Sequence, residues 1–163
     1  MLTQAEAQIE DNTLNGWGKV AWGMNEHQVL AAYPEINPRS MRKIYYNSQY
    51  IAFTLLQHDA HATSWVVDFR FDSATGLLNS VMMASFSKSK EMYDSIVSHF
   101  RSSYGDYHEE IDSGLRYAVP YPSPKRDALW KLEKTNIRVS FEHYNLDGHA
   151  SKSVYIHYTM SSD

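Results

Sequence analysis

A chain of 163 residues with a 43% hydrophobic and 13% aromatic fraction supplies a real core, which excludes disorder and fits one ordinary domain. A formal net charge of −4 without any long block of Lys or Arg argues against duplex nucleic acid as partner, since that needs a concentrated positive field; it leaves room for a basic protein partner. Cysteine is absent, which excludes disulfides and thiolate chemistry, and no apolar run has the length of a membrane span or a signal-peptide core.

Residues 1–20 are acidic early (Glu6, Glu10, Asp11) and turn-like at Asn15-Gly16-Trp17-Gly18. They read as a mobile tail or a short helix leading into the fold. A first helix is predicted from Met24 to Tyr33, capped by Asn25 and stopped by Pro34. After a loop at Asn37-Pro38-Arg39-Ser40 come three strands. Tyr50 to Leu56 is β-rich. Residues 65–71 alternate, with Trp65, Val67, Phe69 and Phe71 on one face and Val66, Asp68 and Arg70 on the other. Asp72 to Gly76 makes a hairpin turn, and Leu77 to Phe86 returns, with a bulge needed to bring Leu78 and Val81 into phase.

A second helix is predicted from Lys88 to Tyr104, with Met92, Ile96, Val97 and Phe100 as its apolar stripe and Gly105 just past its end. The acidic stretch Glu109-Glu110-Ile111-Asp112 and the Pro-rich stretch 120–124 read as connections. The last three strands are registered by a turn at Lys134-Thr135, pairing Leu132 with Ile137, Trp130 with Val139 and Ala128 with Phe141. A loop through Leu146-Asp147-Gly148-His149 then pairs Phe141 with Ile156 and Val139 with Tyr158. The opposite face carries Leu129, Lys131, Arg138, Ser140, Glu142, Tyr144, Tyr155 and His157.

Helix and three strands thus occur twice, over about 21–86 and about 87–163. The fold class implied is α+β: after the 1–20 tail, two tandem helix–three-strand units form one largely antiparallel sheet with helices packed on one face, in a single domain over 21–163. The other sheet face is left for solvent or a partner.

Trp22-Gly23-Met24-Asn25-Glu26 at the entry to a helix, Phe69-Arg70-Phe71-Asp72 followed by Thr75-Gly76-Leu77-Leu78, and a closing Trp130 with Ile137-Arg138-Val139 resemble the SmpA/OmlA-like and β-lactamase-inhibitor-protein-like group. The similarity in arrangement runs from Trp22 to Met160. It implies a small bacterial protein of helices on an antiparallel sheet that binds other proteins through the sheet and acts in the envelope. The lipobox cysteine and the disulfides found in that group have no counterpart here.

His58-Asp59-Ala60-His61 is the most metal-like cluster, because two imidazoles and a carboxylate folded together by a turn can hold a first-row metal. The spacing matches no established zinc signature, and a polar hairpin loop between Tyr50–Leu56 and Trp65–Phe71 is the reading it favours. No metal or other cofactor is therefore assigned. His143, His149 and His157 lie on or near the last hairpin without converging. His157 opposite Ser140 resembles a Ser–His pair, yet no orienting carboxylate or oxyanion hole is signalled. Glu109, Glu110 and Asp112, and the basic spots Arg39–Lys43 and Lys125-Arg126, read as solvated surface. Trp22 and Trp130 read as core, and Tyr155 as a surface anchor.

With no catalytic residue assigned, the function expected is non-enzymatic protein binding through Arg138, Glu142, Tyr144, Tyr155 and His157, in the periplasm or envelope with any signal removed. One alternative is a cytoplasmic immunity protein neutralising a basic enzyme or toxin. The other is a small metal-dependent enzyme using His58, Asp59 and His61.

Overall fold

Every second residue from 65 to 71 is apolar, and Trp65, Val67, Phe69 and Phe71 are all fully buried, so the alternation read from the sequence fixes one inward face. In the computed structural model, residues 14–36, 43–112, 115–116, 119–120, 125–146 and 149–162 are described. Their strands are β1 (Gly16–Trp17), β2 (Val20–Ala21), β3 (Ile44–Tyr46), β4 (Gln49–Ala60), β5 (Thr63–Asp72), β6 (Leu78–Ser85), β7 (His108–Asp112), β8 (Leu115–Arg116), β9 (Val119–Pro120), β10 (Lys125–Lys131), β11 (Thr135–Leu146) and β12 (His149–Met160). The helices are α1 (Glu26–Ala32) and α2 (Lys90–Tyr104).

The predicted architecture of two tandem helix–three-strand units does not form. The chain is mostly β, and eight strands make a single antiparallel sheet in the order β3-β4-β5-β6-β12-β11-β10-β7. β1-β2 and β8-β9 form two separate two-stranded sheets. The physical reason lies at the two edges. Residues 44–46 pair with 49–51, and the acidic stretch read as a connection pairs with β10, Glu110 opposite Asp127 and His108 opposite Leu129. Each segment gains ladder hydrogen bonds by adding to an edge of the sheet, a long-range pairing that the local sequence does not signal. Only two helices occur among the described residues, and the first is seven residues long.

Both helices begin and end where their caps dictate. Asn25 Oδ1 accepts from Gln28 N at 3.0 Å and Gln28 Oε1 accepts from Asn25 N at 2.9 Å, a reciprocal cap for α1; Pro34, two residues past Ala32, prevents its extension. The Ser89 hydroxyl accepts from Met92 N at 3.1 Å at the start of α2, and Gly105 ends it at φ 83°. The stripe that α2 buries is Tyr93, Ile96, Val97 and Phe100, with Met92 only partly covered. Phe100 meets Trp130 at 5.6 Å and Tyr158 at 6.4 Å, and Tyr93 meets Phe141 at 6.1 Å.

Residues 14–20, read as part of a tail, contribute to the core instead; residues 1–13 lie outside the described residues. Trp17 and Val20 are buried, and the Trp17 ring stacks on Tyr33 at 5.8 Å and meets Phe69 edge-on at the same separation. The turn between β1 and β2 needs glycine at position 18: its φ is +54°, and an added Cβ would meet Tyr33 Oη at 2.3 Å. Leu78 and Val81 are both fully buried, because the β5–β6 register shifts between Arg70 and Phe71 and the extra residue restores the phase. Trp130 is core, its Nε1 donating to Gly105 O at 3.1 Å, whereas Trp22 is half-buried and donates to Thr135 Oγ1 at 2.9 Å. Among the described residues no helix is long and apolar enough to cross a membrane.

Phe69 touches Trp17, Tyr33 and Phe53 with no solvent exposure. Phe69→Ala is expected to lower unfolding free energy in urea by about 3–5 kcal/mol. Phe86→Ala, at a residue 62% exposed, should stay within about 0.5 kcal/mol of wild type. Equal effects of the two would contradict this core.

Candidate functional site

In β11 and β12 the inward set is Ile137, Val139, Phe141, Val154, Ile156 and Tyr158, all buried. Strand alternation therefore sends Arg138, Ser140, Glu142, Tyr155 and His157 to the opposite face, as the sequence implied. The register differs from the predicted one by two residues in both hairpins. Trp130 stands opposite Ile137, Ala128 opposite Val139, Phe141 opposite Val154 and Val139 opposite Ile156. A slip of two keeps every side chain on its face but changes the neighbours across strands. His157 now stands opposite Arg138, and Ser140 opposite Tyr155, so the Ser140–His157 pair dissolves. Tyr144 lies in β11 opposite Ser151, and its side chain is outside the described part, as are the Asp147-Gly148 turn, the side chain of His149, and the stretches 39–42 and 121–124.

The pairing of β12 with β6 continues the open face across the sheet. One row runs Asp68, Met82, His157, Arg138, Leu129, His108, and the next runs Ala84, Tyr155, Ser140, Asp127, Glu110. On this face an open groove of about 1360 Å³ is lined by Met82, Leu129, Arg138, Glu142, Tyr155 and His157 among others. Arg138, Lys125 and Glu142 of its lining are linked through the buried carboxylate of Asp127. Arg138 Nη1 donates to Asp127 Oδ2 at 3.1 Å, and Lys125 Nζ lies 3.4 Å from both Asp127 Oδ2 and Glu142 Oε1. The Asp127 side chain is 7% exposed against 44% for Arg138, so the carboxylate is fixed in place while the guanidinium still faces the groove. Lys125, read as solubilising, is thus part of the site; Arg126 pairs outside it with Glu109 at 3.3 Å.

His157 is half-buried in this face. Burial, and then the positive charges of Arg70 and Arg138, hold its pKa down at about 4, so it is neutral at pH 7. Its Nε2 and Asp127 Oδ1 have no hydrogen-bond partner among the described residues. An imidazole held so far below neutrality is a weak general base, and its neighbours are cations where a catalytic histidine needs an orienting carboxylate. Rigid, partly desolvated polar groups in a wide groove are suited to recognition.

The other candidate cluster disperses. His58 and Asp59 belong to β4, and the connection to β5 is only His61-Ala62, both with positive φ (49° and 58°). His58 packs on Trp17 at 5.1 Å, Asp59 accepts from the Ser64 hydroxyl, and His61 packs on His99 at 5.1 Å and Phe100 at 5.4 Å. Successive strand residues point to opposite faces, so the three do not converge. Among the described residues no group of three His, Asp or Glu side chains is placed to hold a metal ion.

Arg70 and Asp127 were missed by the sequence reading of the site. Both stand at open-face positions of alternating strands, which is the available signal, but only long-range pairing brings them beside His157 and Arg138. No family model matches the chain, and no curated protein or solved structure matches it.

His61 is likewise held at about 4, by burial first and then by His99 and His58, and burial also lowers His58 and His143. Histidines return toward 6.5 on unfolding, so between about 4 and 6.5 the unfolded chain binds more protons. Their contribution is whole above pH 6.5 and is lost as pH falls through that window. Melting temperature should therefore fall steadily from pH 6.5 toward pH 4, and a His61→Phe/His157→Met double variant should show a flatter profile. An equally steep profile in the double variant would contradict the assignment.

Proposed function

We propose that this protein is a non-enzymatic binding module that docks another protein on the open face of its sheet. The single observation that carries the reading is the groove beside β11 and β12, which Arg138, Tyr155 and His157 line and where His157 Nε2 is buried without a hydrogen-bond partner among the described residues. Such an atom is costly unless an occupant or ordered water completes it. Tyr155 and Arg138 are residue types favoured as anchors, and both stand on paired strands, which hold them in position before binding. The proposal of a periplasmic or envelope role of inhibitor type draws on the resemblance to SmpA/OmlA-like and β-lactamase-inhibitor-like proteins, whose docking also uses the sheet.

The test is affinity capture from the source organism followed by titration of the captured protein against variants. Tyr155→Ala combined with Arg138→Glu should weaken the complex by about 2 kcal/mol or more, roughly thirtyfold. Lys90→Ala, in α2, should leave it unchanged. A partner that binds both variants like wild type would place docking elsewhere.

A further inference from the structure

We propose that the middle of the open face, where Arg70, His157 and Arg138 come together, seats a carboxylate presented by the partner protein. The inference rests on the docking reading above and adds the chemistry of the contact.

Arg70 carries it. This guanidinium projects from β5 on the same face as Met82, with Nη2 donating to Met82 Sδ at 2.8 Å and the Tyr46 ring 5.6 Å from its central carbon. Its Nε is buried without a hydrogen-bond partner, and among the described residues no carboxylate forms an ion pair with it. Half-buried arginines ordinarily pair with carboxylates, and a thioether is a weak acceptor in that place. Of the two acids flanking it on its own strand, Asp68 accepts instead from the Thr54 hydroxyl at 2.7 Å and Asp72 from the backbone N–H groups of Ala74 and Thr75. Arg70 therefore forgoes a hydrogen bond at a position where an apolar side chain would pack without that loss.

The neighbours converge on the same occupant. His157 lies opposite both Met82 and Arg138, between the two guanidiniums, and its Nε2 is also unsatisfied. Arg138 is tied on one side by Asp127 and remains 44% exposed. An acidic side chain entering from solvent would pair with the exposed part of the Arg138 guanidinium and give Arg70 the carboxylate partner it lacks. A polyanion fits less well. The groove runs from Arg138 toward Glu110 and Asp106, and the whole chain carries −4, so a string of phosphates would meet repulsion beyond the first contact. A polypeptide with one acid at this point and neutral or basic residues toward β7 meets none.

The probe is a library of random linear peptides, selected on the full chain by competition at the open face. Selected peptides should share an Asp or Glu, and changing it to Asn or Gln should weaken binding by about tenfold or more. Arg70→Met should cost about as much while melting no lower than wild type, because it removes an unpaired charge; Arg70→Lys should restore part of the affinity. Should Arg70→Met fail to fold, the acid-to-amide change in the peptide still decides. Peptides lost on Tyr155→Ala but indifferent to their own acid would overturn the carboxylate and leave the docking face standing. Peptides that ignore every open-face variant, or no peptides at all, would overturn both. Arg70-dependent binding of a single-stranded oligonucleotide in place of acidic peptides would overturn the protein carboxylate in favour of a polyanion.

Discussion

The antiparallel pairing of β12 with β6, with Ile156 opposite Met83 and Tyr158 opposite Val81, joins β3-β4-β5-β6 to β12-β11-β10-β7. Both faces of the sheet depend on this seam. On the inner side it places Val81, Met83, Ile156 and Tyr158 in one buried layer, continuous with the aromatic residues of β4 and β5 and with the stripe of α2. On the outer side it places Met82 beside His157, and so brings Arg70 of one group of strands within reach of Arg138 of the other. No local sequence feature produces that juxtaposition. It exists only because two sets of strands share one register.

The two faces are held by different physics. The inner face is aromatic and buried, with ring centroids 5.0 to 5.9 Å apart and the polar edges of Trp65 and Trp130 satisfied by the carbonyls of Ala60 and Gly105. The outer face carries ion pairs, a neutral imidazole and the Arg70 guanidinium. Replacing such networks with apolar side chains is often neutral or stabilising, so their presence on a sheet face that needs only one buried side points to use rather than to folding. The groove gathers them over β10, β11 and β12.

Much of the local structure was legible because local rules determine it. Trp65, Val67, Phe69 and Phe71 show their period of two directly; Asn25 and Gly105 are caps; and Leu78 and Val81 betray the bulge by being out of phase. Both hairpin registers differ from the predicted ones by two because apolar residues at every second position permit any even slip, and between β10 and β11 the turn at residues 132–135 decides among them. β7 was invisible because His108-Glu109-Glu110 has neither β-branching nor alternation, and only pairing with β10 makes it a strand. The overall architecture was misjudged for the same reason: an apparent repeat of helix and strands said nothing of the two edge strands or of how little helix the chain would form. At the site, the outward face of Arg138, Tyr155 and His157 followed from alternation, whereas Arg70 and Asp127 depended on contacts between distant segments.

Residue-resolved amide hydrogen exchange along the seam is the most direct measurement. If β6 and β12 join one sheet, the amides of 81–83 and 156–158 that bond across it exchange among the slowest in the protein, at the rate of global unfolding and together with those of β5 and β11. Exchange at the seam much faster than within the β4–β5 and β11–β12 hairpins would mean that the two groups of strands part. No continuous face would then exist to hold Arg70, His157 and Arg138 together.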